Sequence, residues 1–200
     1  MDRIEFLVEE LSMAELLKVV LPRILPAPWE LDNNYYIHPH EGKSDLRRSI
    51  PTKLKAYRKR PFSTCFVVVQ DQDSNDCKQL KQELVALCEA NKSDNITYLV
   101  RIVCHELEAW YIGDVDALQS IFPRFKADKH RNSRMFRNPD ACINPKARLK
   151  KILNEEYSQI DTAHKMAQQM DTNNNKSESF KQFISGILKL IKTASPSSQR

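Results

Sequence analysis

Short runs of apolar residues alternate with amphipathic segments over the first half of the chain. Four runs predict strands: RIEFLVEE (3–10), NNYYIHPH (33–40), STCFVVVQ (63–70) and NITYLVRIVC (95–104). Three segments between them have the apolar spacing of helices: 12–25, 42–60 and 76–92. The second of these contains Pro51, where we expect an interruption or a kink.

The alternation of strand and helix predicts an α/β fold with a mostly parallel, Rossmann-like central sheet of about four strands, flanked by helices. The third strand is apolar at consecutive positions, which indicates burial on both faces of the sheet.

The second half of the chain has helical periodicity almost throughout. Predicted helices cover residues 105–122, 144–157, 161–170 and 177–192. A length of 200 residues suits one sizeable core. We therefore expect a single domain over 1–192, with an α/β core (1–104) and a mainly helical extension (105–192). Residues 193–200 have the composition of a disordered tail.

Composition narrows the functional class. No window approaches the length of an apolar membrane span, and the first residues are acidic where a signal peptide is basic, so we expect a cytoplasmic protein without a membrane partner. The five cysteines are scattered, which fits a reducing compartment better than a disulfide framework. Only three glycines are present and no Gly-rich phosphate loop, so nucleotide binding by that route is disfavoured.

Acidic residues follow two of the predicted strands. Asp71 and Asp73 end the third strand, and Glu9 and Glu10 end the first. The carboxyl ends of parallel strands are where open α/β sheets bind ligands, and residues i and i+2 of an extended segment point to the same side. Clustered carboxylates repel one another and suit a hard divalent cation such as Mg²⁺ or Mn²⁺. The alternative is that Asp71 and Asp73 only cap a loop and the next helix.

Several motifs spread over most of residues 4–184 carry a family resemblance: FLVEELSMAELLKVVLPRIL, GKSDL, VVVQDQDSNDCKQLK, RIVCHELEAWYIGD, NPDACINPKARL and KSESFKQF. A strand ending in Glu and a strand ending in Asp-x-Asp resemble the TOPRIM fold of topoisomerases, primases, recombination proteins and overcoming-lysogenization-defect nucleases. More narrowly, the chain resembles the domain-of-unknown-function-4276 family.

That resemblance implies a Mg²⁺-dependent acidic site that acts on phosphodiesters. It implies an acid/base or metal-binding role for Glu9 and metal binding by Asp71 and Asp73. It also implies a partner ATPase and a role in defence against phage or plasmids. The broader TOPRIM pattern has Gly after the motif Glu, whereas this chain has Glu10, so either the turn is made differently or Glu10 joins the site.

Two more acidic residues are candidates for this site. Glu106 follows the fourth strand in HELEAW and is the preferred extra ligand or support for a ligand. Glu106 and Glu108 cannot both face one point on a helix, so either His105 or Glu108 is expected only as a neighbour of the site. The alternative is an acid-rich first turn that favours the helix dipole. Asp76 is more simply explained as the cap of the following helix, with metal contact as the alternative.

Basic residues are concentrated between Lys43 and Arg60, a segment that contains eight Lys or Arg and one acidic residue, Asp45. Such blocks attract phosphate backbones without reading sequence, although a solvated helix face is the alternative. The candidate nucleic-acid-binding residues are Lys43, Arg47, Arg48, Lys55, Arg58 and Arg60. A second basic stretch, 124–137, has interleaved aromatic residues and is either part of a nucleic-acid channel or a loop.

The sequence thus predicts a metal-dependent nuclease, with a non-catalytic subunit that docks an ATPase or nucleic acid as the alternative. The sequence does not decide whether the substrate is DNA or RNA, nor does it give the oligomeric state.

Overall fold

Among the residues that the computed structural model describes, 1–153 and 157–194, four strands form one all-parallel sheet. They are β1 (Arg3–Val8), β2 (Tyr35–Pro39), β3 (Thr64–Asp71) and β4 (Ile96–Val103). Their order in the sheet is β2-β1-β3-β4, so β1 and β3 are adjacent at its centre. The predicted α/β fold is confirmed.

Helices cover both faces of this sheet. In chain order they are α1 (Leu11–Ile24), α2 (Lys43–Tyr57), α3 (Cys77–Glu89), α4 (Glu108–Ile112), α5 (Val115–Ile121), α6 (Ala127–His130), α7 (Arg134–Arg137), α8 (Pro145–Leu153), α9 (Gln159–Gln169) and α10 (Glu178–Ala194). A short 3₁₀ helix, Pro139–Ala141, lies between α7 and α8.

Side chains of β3 alternate between two hydrophobic clusters. Phe66 and Val68 pack with residues of α2 and α3, whereas Val67 and Val69 pack with residues of α1 and the C-terminal helices. Because each face of the strand meets a helical layer, every residue of β3 is buried. This arrangement explains the unbroken apolar run in the sequence.

The C-terminal half is joined to the face of the sheet that α1 covers. The Arg23 guanidinium of α1 donates hydrogen bonds to the carbonyl oxygens of Ala167 (2.5 Å) and Met170 (2.8 Å) at the end of α9. The Trp110 indole donates to the Ser179 hydroxyl at 2.9 Å, which connects α4 to α10. The helical extension therefore belongs to the layer that encloses the larger hydrophobic cluster.

The structure differs from the sequence predictions at several helices. Glu10, not Ser12, precedes α1, and α2 runs through Pro51 without interruption. The helix predicted over 105–122 is divided into α4 and α5 by Gly113 and Asp114, and the Asp114 carboxylate caps α5 by accepting from the Ala117 amide.

Of the predicted tail, Thr193 and Ala194 belong to α10, and 195–200 lie outside the described residues, as do 154–156 of the helix predicted over 144–157. None of the helices in the described ranges has the length and apolarity needed to span a membrane.

Candidate metal site at the carboxyl edge of the sheet

Glu9 and Asp71 meet where β1 and β3 end. Val8 pairs with Val69 in the sheet, so Glu9, the first residue after β1, lies beside the last residues of β3. The Glu9 Oε2 atom accepts a hydrogen bond from the Asp71 backbone amide at 3.1 Å. The Asp71 Oδ2 atom accepts one from the Leu107 amide at 3.1 Å. The structure therefore brings together two of the predicted site residues and links both to the start of the helical extension.

Both carboxyl groups are held in an environment that disfavours their charge. Burial raises the pKa of Glu9 to about 7, against the opposing effects of the Asp71 amide and of Lys43. Burial also raises the pKa of Asp71 well above 3.8, and the neighbouring charges of Glu9, Glu10 and Glu108 raise it further. Neither Glu9 nor Asp71 forms an ion pair with a described residue. A buried and a partly buried carboxyl group thus meet at one place, and neither has an ion-pair partner among the described residues.

Asp73 lies at a turn rather than in an extended segment. Its φ of 50° is left-handed, its amide donates to the His105 carbonyl oxygen at 2.7 Å, and its carboxylate forms an ion pair with the Lys43 ammonium. The i, i+2 geometry expected for Asp71 and Asp73 therefore does not apply, because the chain turns between them. Asp73 still belongs to the same edge, since its charge raises the pKa of Glu9 in addition to the larger effect of burial.

Glu10 follows Glu9 and lies on the side of the site that α9 covers. Its φ of −147° and ψ of 168° are extended, which any residue adopts, so the turn after β1 does not need glycine. Its Oε1 atom accepts hydrogen bonds from the Ser12 hydroxyl (2.9 Å) and from the Gln159 side-chain amide (2.7 Å). Glu10 therefore connects the site to α9 and contributes negative charge near Asp71.

The other two acidic candidates have defined structural partners. The Glu106 Oε2 atom accepts from the Lys146 amide at 3.0 Å, near the start of α8, so this carboxylate holds α8 against the edge of the sheet. Asp76 accepts from the Gln79 amide at 2.8 Å and is the N-cap of α3. The favoured interpretation of Asp76 as a helix cap is confirmed.

Behind Asp71 lie Glu108, which the sequence indicated only as a neighbour of the site, and two tyrosines that it did not assign to the site. Glu108 is 2% exposed and accepts a hydrogen bond from the Tyr157 hydroxyl at 2.6 Å. The hydroxyl of Tyr111 is buried and has no hydrogen-bond partner among the described residues, and the charges of Glu108 and Asp71 act on it. Glu108 can be recognised as an acidic residue in the sequence, but its contact with Tyr157 depends on how the C-terminal half packs against the sheet.

The predicted nucleic-acid-binding residues of α2 are divided between its two ends. Lys43 begins the helix at the candidate site, and Arg47 and Arg48 follow within about one turn. Arg47 pairs with Glu83 at 3.0 Å and Arg48 with Asp45 at 3.3 Å.

The remaining three lie at or beyond the other end of α2, roughly 20 Å along the helix from Lys43; they are Lys55, Arg58 and Arg60. Arg58 there donates to the Asn91 carbonyl oxygen at 3.2 Å. They are therefore too far away to contact a phosphate held at Asp71. They could contact only other phosphates of a long strand of nucleic acid.

A cavity of about 410 Å³ opens beside the acidic residues. It is lined by Asp73, Ser74, His105, Glu106, Ile143 and Asn144. The cavity gives a ligand access to the edge of the sheet from the side of the C-terminal half.

The donor set fits a hard cation, because Glu9, Asp71 and Asp73 offer only carboxylate oxygens, and Glu9 and Asp71 have no ion-pair partner among the described residues. No group of three or more His, Cys, Asp or Glu within 1–153 and 157–194 is already arranged around a common metal position. The Lys43 ammonium holds Asp73, and the Leu107 amide holds Asp71. Metal binding therefore requires Asp73 to exchange Lys43 for the cation.

Comparison with known protein families gives one match. The model of the family described as Domain of unknown function (DUF4276) matches residues 8–188. Comparisons with curated proteins and with solved structures found no match. The matched range includes all the acidic residues described above, and it runs through both halves of the chain.

Proposed function

The chain is a member of the family described as Domain of unknown function (DUF4276), and from that premise we propose that it is a TOPRIM-type nuclease that hydrolyses phosphodiester bonds of nucleic acid with Mg²⁺ or Mn²⁺. The residues that hold the metal in this proposal are Glu9, Asp71 and Asp73.

One observation carries the proposal: the buried Asp71 and the partly buried Glu9 meet at the ends of the two central strands, and neither forms an ion pair with a described residue. A carboxyl group that serves only the fold is normally paired or exposed, because an unpaired buried charge is costly. Two such groups with a third carboxylate beside them favour a site that is completed by a divalent cation.

A bound Mg²⁺ or Mn²⁺ would supply a Lewis acid and lower the pKa of a coordinated water. The protein contributes a proton acceptor and a phosphate contact. The Asp71 amide occupies only the Oε2 atom of Glu9, so in this proposal the Oε1 atom accepts a proton from the attacking water. Lys43, once released from Asp73, is in position to contact a phosphate oxygen at the start of α2.

The wider setting rests on the family resemblance alone. We propose a cytoplasmic protein that acts with a partner ATPase in defence against phage or plasmids. The chain's absence of a Gly-rich phosphate loop is in keeping with an ATPase activity supplied by another chain.

One contact favours the alternative, a non-catalytic subunit that docks an ATPase or nucleic acid. The Lys43 ammonium occupies the Asp73 carboxylate, which is the most accessible of the three. A lysine that holds this carboxylate permanently would keep the site from binding metal, and the remaining surface would serve binding only.

Metal titration with a cleavage assay separates the two functions. A metal that binds only the folded protein raises its melting temperature. For the nuclease, we expect Mn²⁺ to raise the melting temperature and to produce cleavage of single- or double-stranded DNA or RNA. A melting-temperature shift without cleavage of any of these would support the binding subunit, and neither effect at millimolar metal would contradict the metal site.

A further inference from the structure

A second cavity lies next to the one at the candidate site. It has a volume of about 420 Å³, and its lining includes Ser133, Arg134, Asn138 and Arg148. Ile143 lines both this cavity and the one that contains Asp73, His105 and Glu106. The two cavities therefore adjoin at Ile143, with the acidic edge of the sheet on one side and two arginines on the other, and together we call them the groove.

These two arginines differ from the arginines of α2 in having no acidic partner. Arg134 and Arg148 are exposed, and neither forms an ion pair with a described residue. Arg148 uses its Nε atom to donate to the Ile143 carbonyl oxygen at 2.9 Å, which orients the guanidinium at the groove. Arg134 and Arg148 are therefore available to bind an anion beside the candidate site.

The residue at the centre of the groove is apolar. Ile143 is 63% exposed, the largest exposed fraction among the exposed large hydrophobic side chains of the described residues. A double helix presents phosphate and sugar to such a surface, whereas an unpaired base presents an apolar face that can cover an isoleucine. An exposed isoleucine beside two arginines therefore suits a strand whose bases are free.

We propose that this groove, formed by Arg134, Ile143 and Arg148, binds single-stranded nucleic acid and leads it to the carboxylates at the edge of the sheet. Arg134 and Arg148 contact backbone phosphates, and Ile143 packs against a base. The inference rests on the proposed function, because it names the form of nucleic acid that the same site receives.

Binding measured in EDTA tests the groove separately from catalysis, because it needs neither metal nor hydrolysis. Fluorescence anisotropy of a labelled oligothymidine is measured with the wild type and with the double variant Arg134→Gln/Arg148→Gln. Loss of two charge-assisted contacts should weaken binding about tenfold or more. The slope of log affinity against log salt should become shallower by about 1.4, as expected for two lost phosphate contacts on a single strand.

The matched control removes the same charge elsewhere. Lys189 and Lys192 are exposed and line neither cavity, so Lys189→Gln/Lys192→Gln should bind within about twofold of wild type. Arg134→Lys/Arg148→Lys retains both charges and should keep most of the affinity. Equal loss in the Gln variant and the control would overturn the groove, since net charge alone would then explain binding. Wild-type affinity in the groove variant, or no binding by the wild type, would also overturn it.

The strand preference has its own readout. The wild type should bind the single strand at least about tenfold more tightly than the duplex made from it. Ile143→Ser should reduce that ratio, because serine removes the apolar surface against which a base packs. Equal binding of single strand and duplex would contradict the proposed substrate class. Binding by the groove with no cleavage under Mn²⁺ would leave this inference standing and would count against the nuclease instead.

Discussion

The environment of Glu9 can be tested in the metal-free protein, because its raised pKa changes the stability of the fold with pH. Burial raises its pKa to about 7, so the folded protein holds a proton on Glu9 that the unfolded chain releases near its usual value of 4.5. A raised carboxyl pKa contributes stability that is fully present below pH 4.5 and is lost as the pH rises to 7. In EDTA, the free energy of unfolding should therefore fall across this window through the contribution of Glu9.

Glu9→Gln should remove that contribution and flatten the dependence of stability on pH between 4.5 and 7. Urea unfolding at several pH values measures it. Glu41→Gln changes an exposed carboxylate and should leave the slope as in the wild type. An unchanged slope in Glu9→Gln would show that Glu9 is not held in an environment that disfavours its charge.

Tyr111 is a second residue in an unfavourable environment, because its polar hydroxyl group is buried. Its hydroxyl is buried and has no hydrogen-bond partner among the described residues, and an unsatisfied buried hydroxyl typically costs about 1–3 kcal/mol. Tyr111→Phe should therefore leave the free energy of unfolding unchanged or raise it by about 1 kcal/mol.

Tyr157→Phe is the matched comparison for Tyr111. It removes the hydroxyl that donates to the buried Glu108, so it should cost about 1–3 kcal/mol. Urea midpoints of the two variants give both values. If Tyr111→Phe is the more destabilised of the two, the hydroxyl of Tyr111 has a partner that matters, such as a bound water.

At the scale of elements, the strands were predicted to within a few residues and the helices less well. Almost all residues of the two central strands, β1 and β3, are buried, and burial on both faces of the sheet corresponds to the continuous apolar run of β3 in the sequence. The division between α4 and α5 was not predicted, because Gly113 and Asp114 interrupt a helical pattern that otherwise continues. Asp114 is a good N-cap, and that local signal outweighs the periodicity.

Asp76 gives a prediction for α3. Its side chain accepts from the Gln79 amide, so Asp76→Ala should cost about 1 kcal/mol of stability while Asp76→Ser retains most of it. Isothermal calorimetry with Mn²⁺ should give the same affinity for both variants and the wild type, after allowance for the folded fraction. A large loss of metal affinity in Asp76→Ser would assign this carboxylate to the metal site instead.

At the scale of the whole molecule, the candidate site is built from both halves of the chain. The first half supplies Glu9, Asp71 and Asp73, and topology alone predicts their common edge, because β1 and β3 are adjacent and parallel. The second half supplies contacts that no local pattern indicates, such as those of Glu108 with Tyr157 and of Glu10 with Gln159. They depend on the packing of α8 and α9 against the edge, which single-sequence reasoning does not reach.

The measurement that tests the central claim most directly is Mn²⁺-dependent cleavage by Asp71→Asn/Asp73→Asn, with urea midpoints from the same preparations. Asparagine keeps the size of both side chains and an oxygen to accept from the Leu107 amide. If the two carboxylates hold metal, cleavage should fall by several orders of magnitude, since the metal supplies the nucleophile and neutralises developing charge.

Stability without metal should stay the same or rise slightly in this variant, because repulsion at Asp71 is relieved and an exposed ion pair such as that of Asp73 with Lys43 contributes about 1 kcal/mol at most. The control Asp94→Asn/Asp128→Asn removes two exposed carboxylates and should cleave as the wild type does. A folded Asp71→Asn/Asp73→Asn protein that cleaves at the wild-type rate would contradict the metal site at Glu9, Asp71 and Asp73.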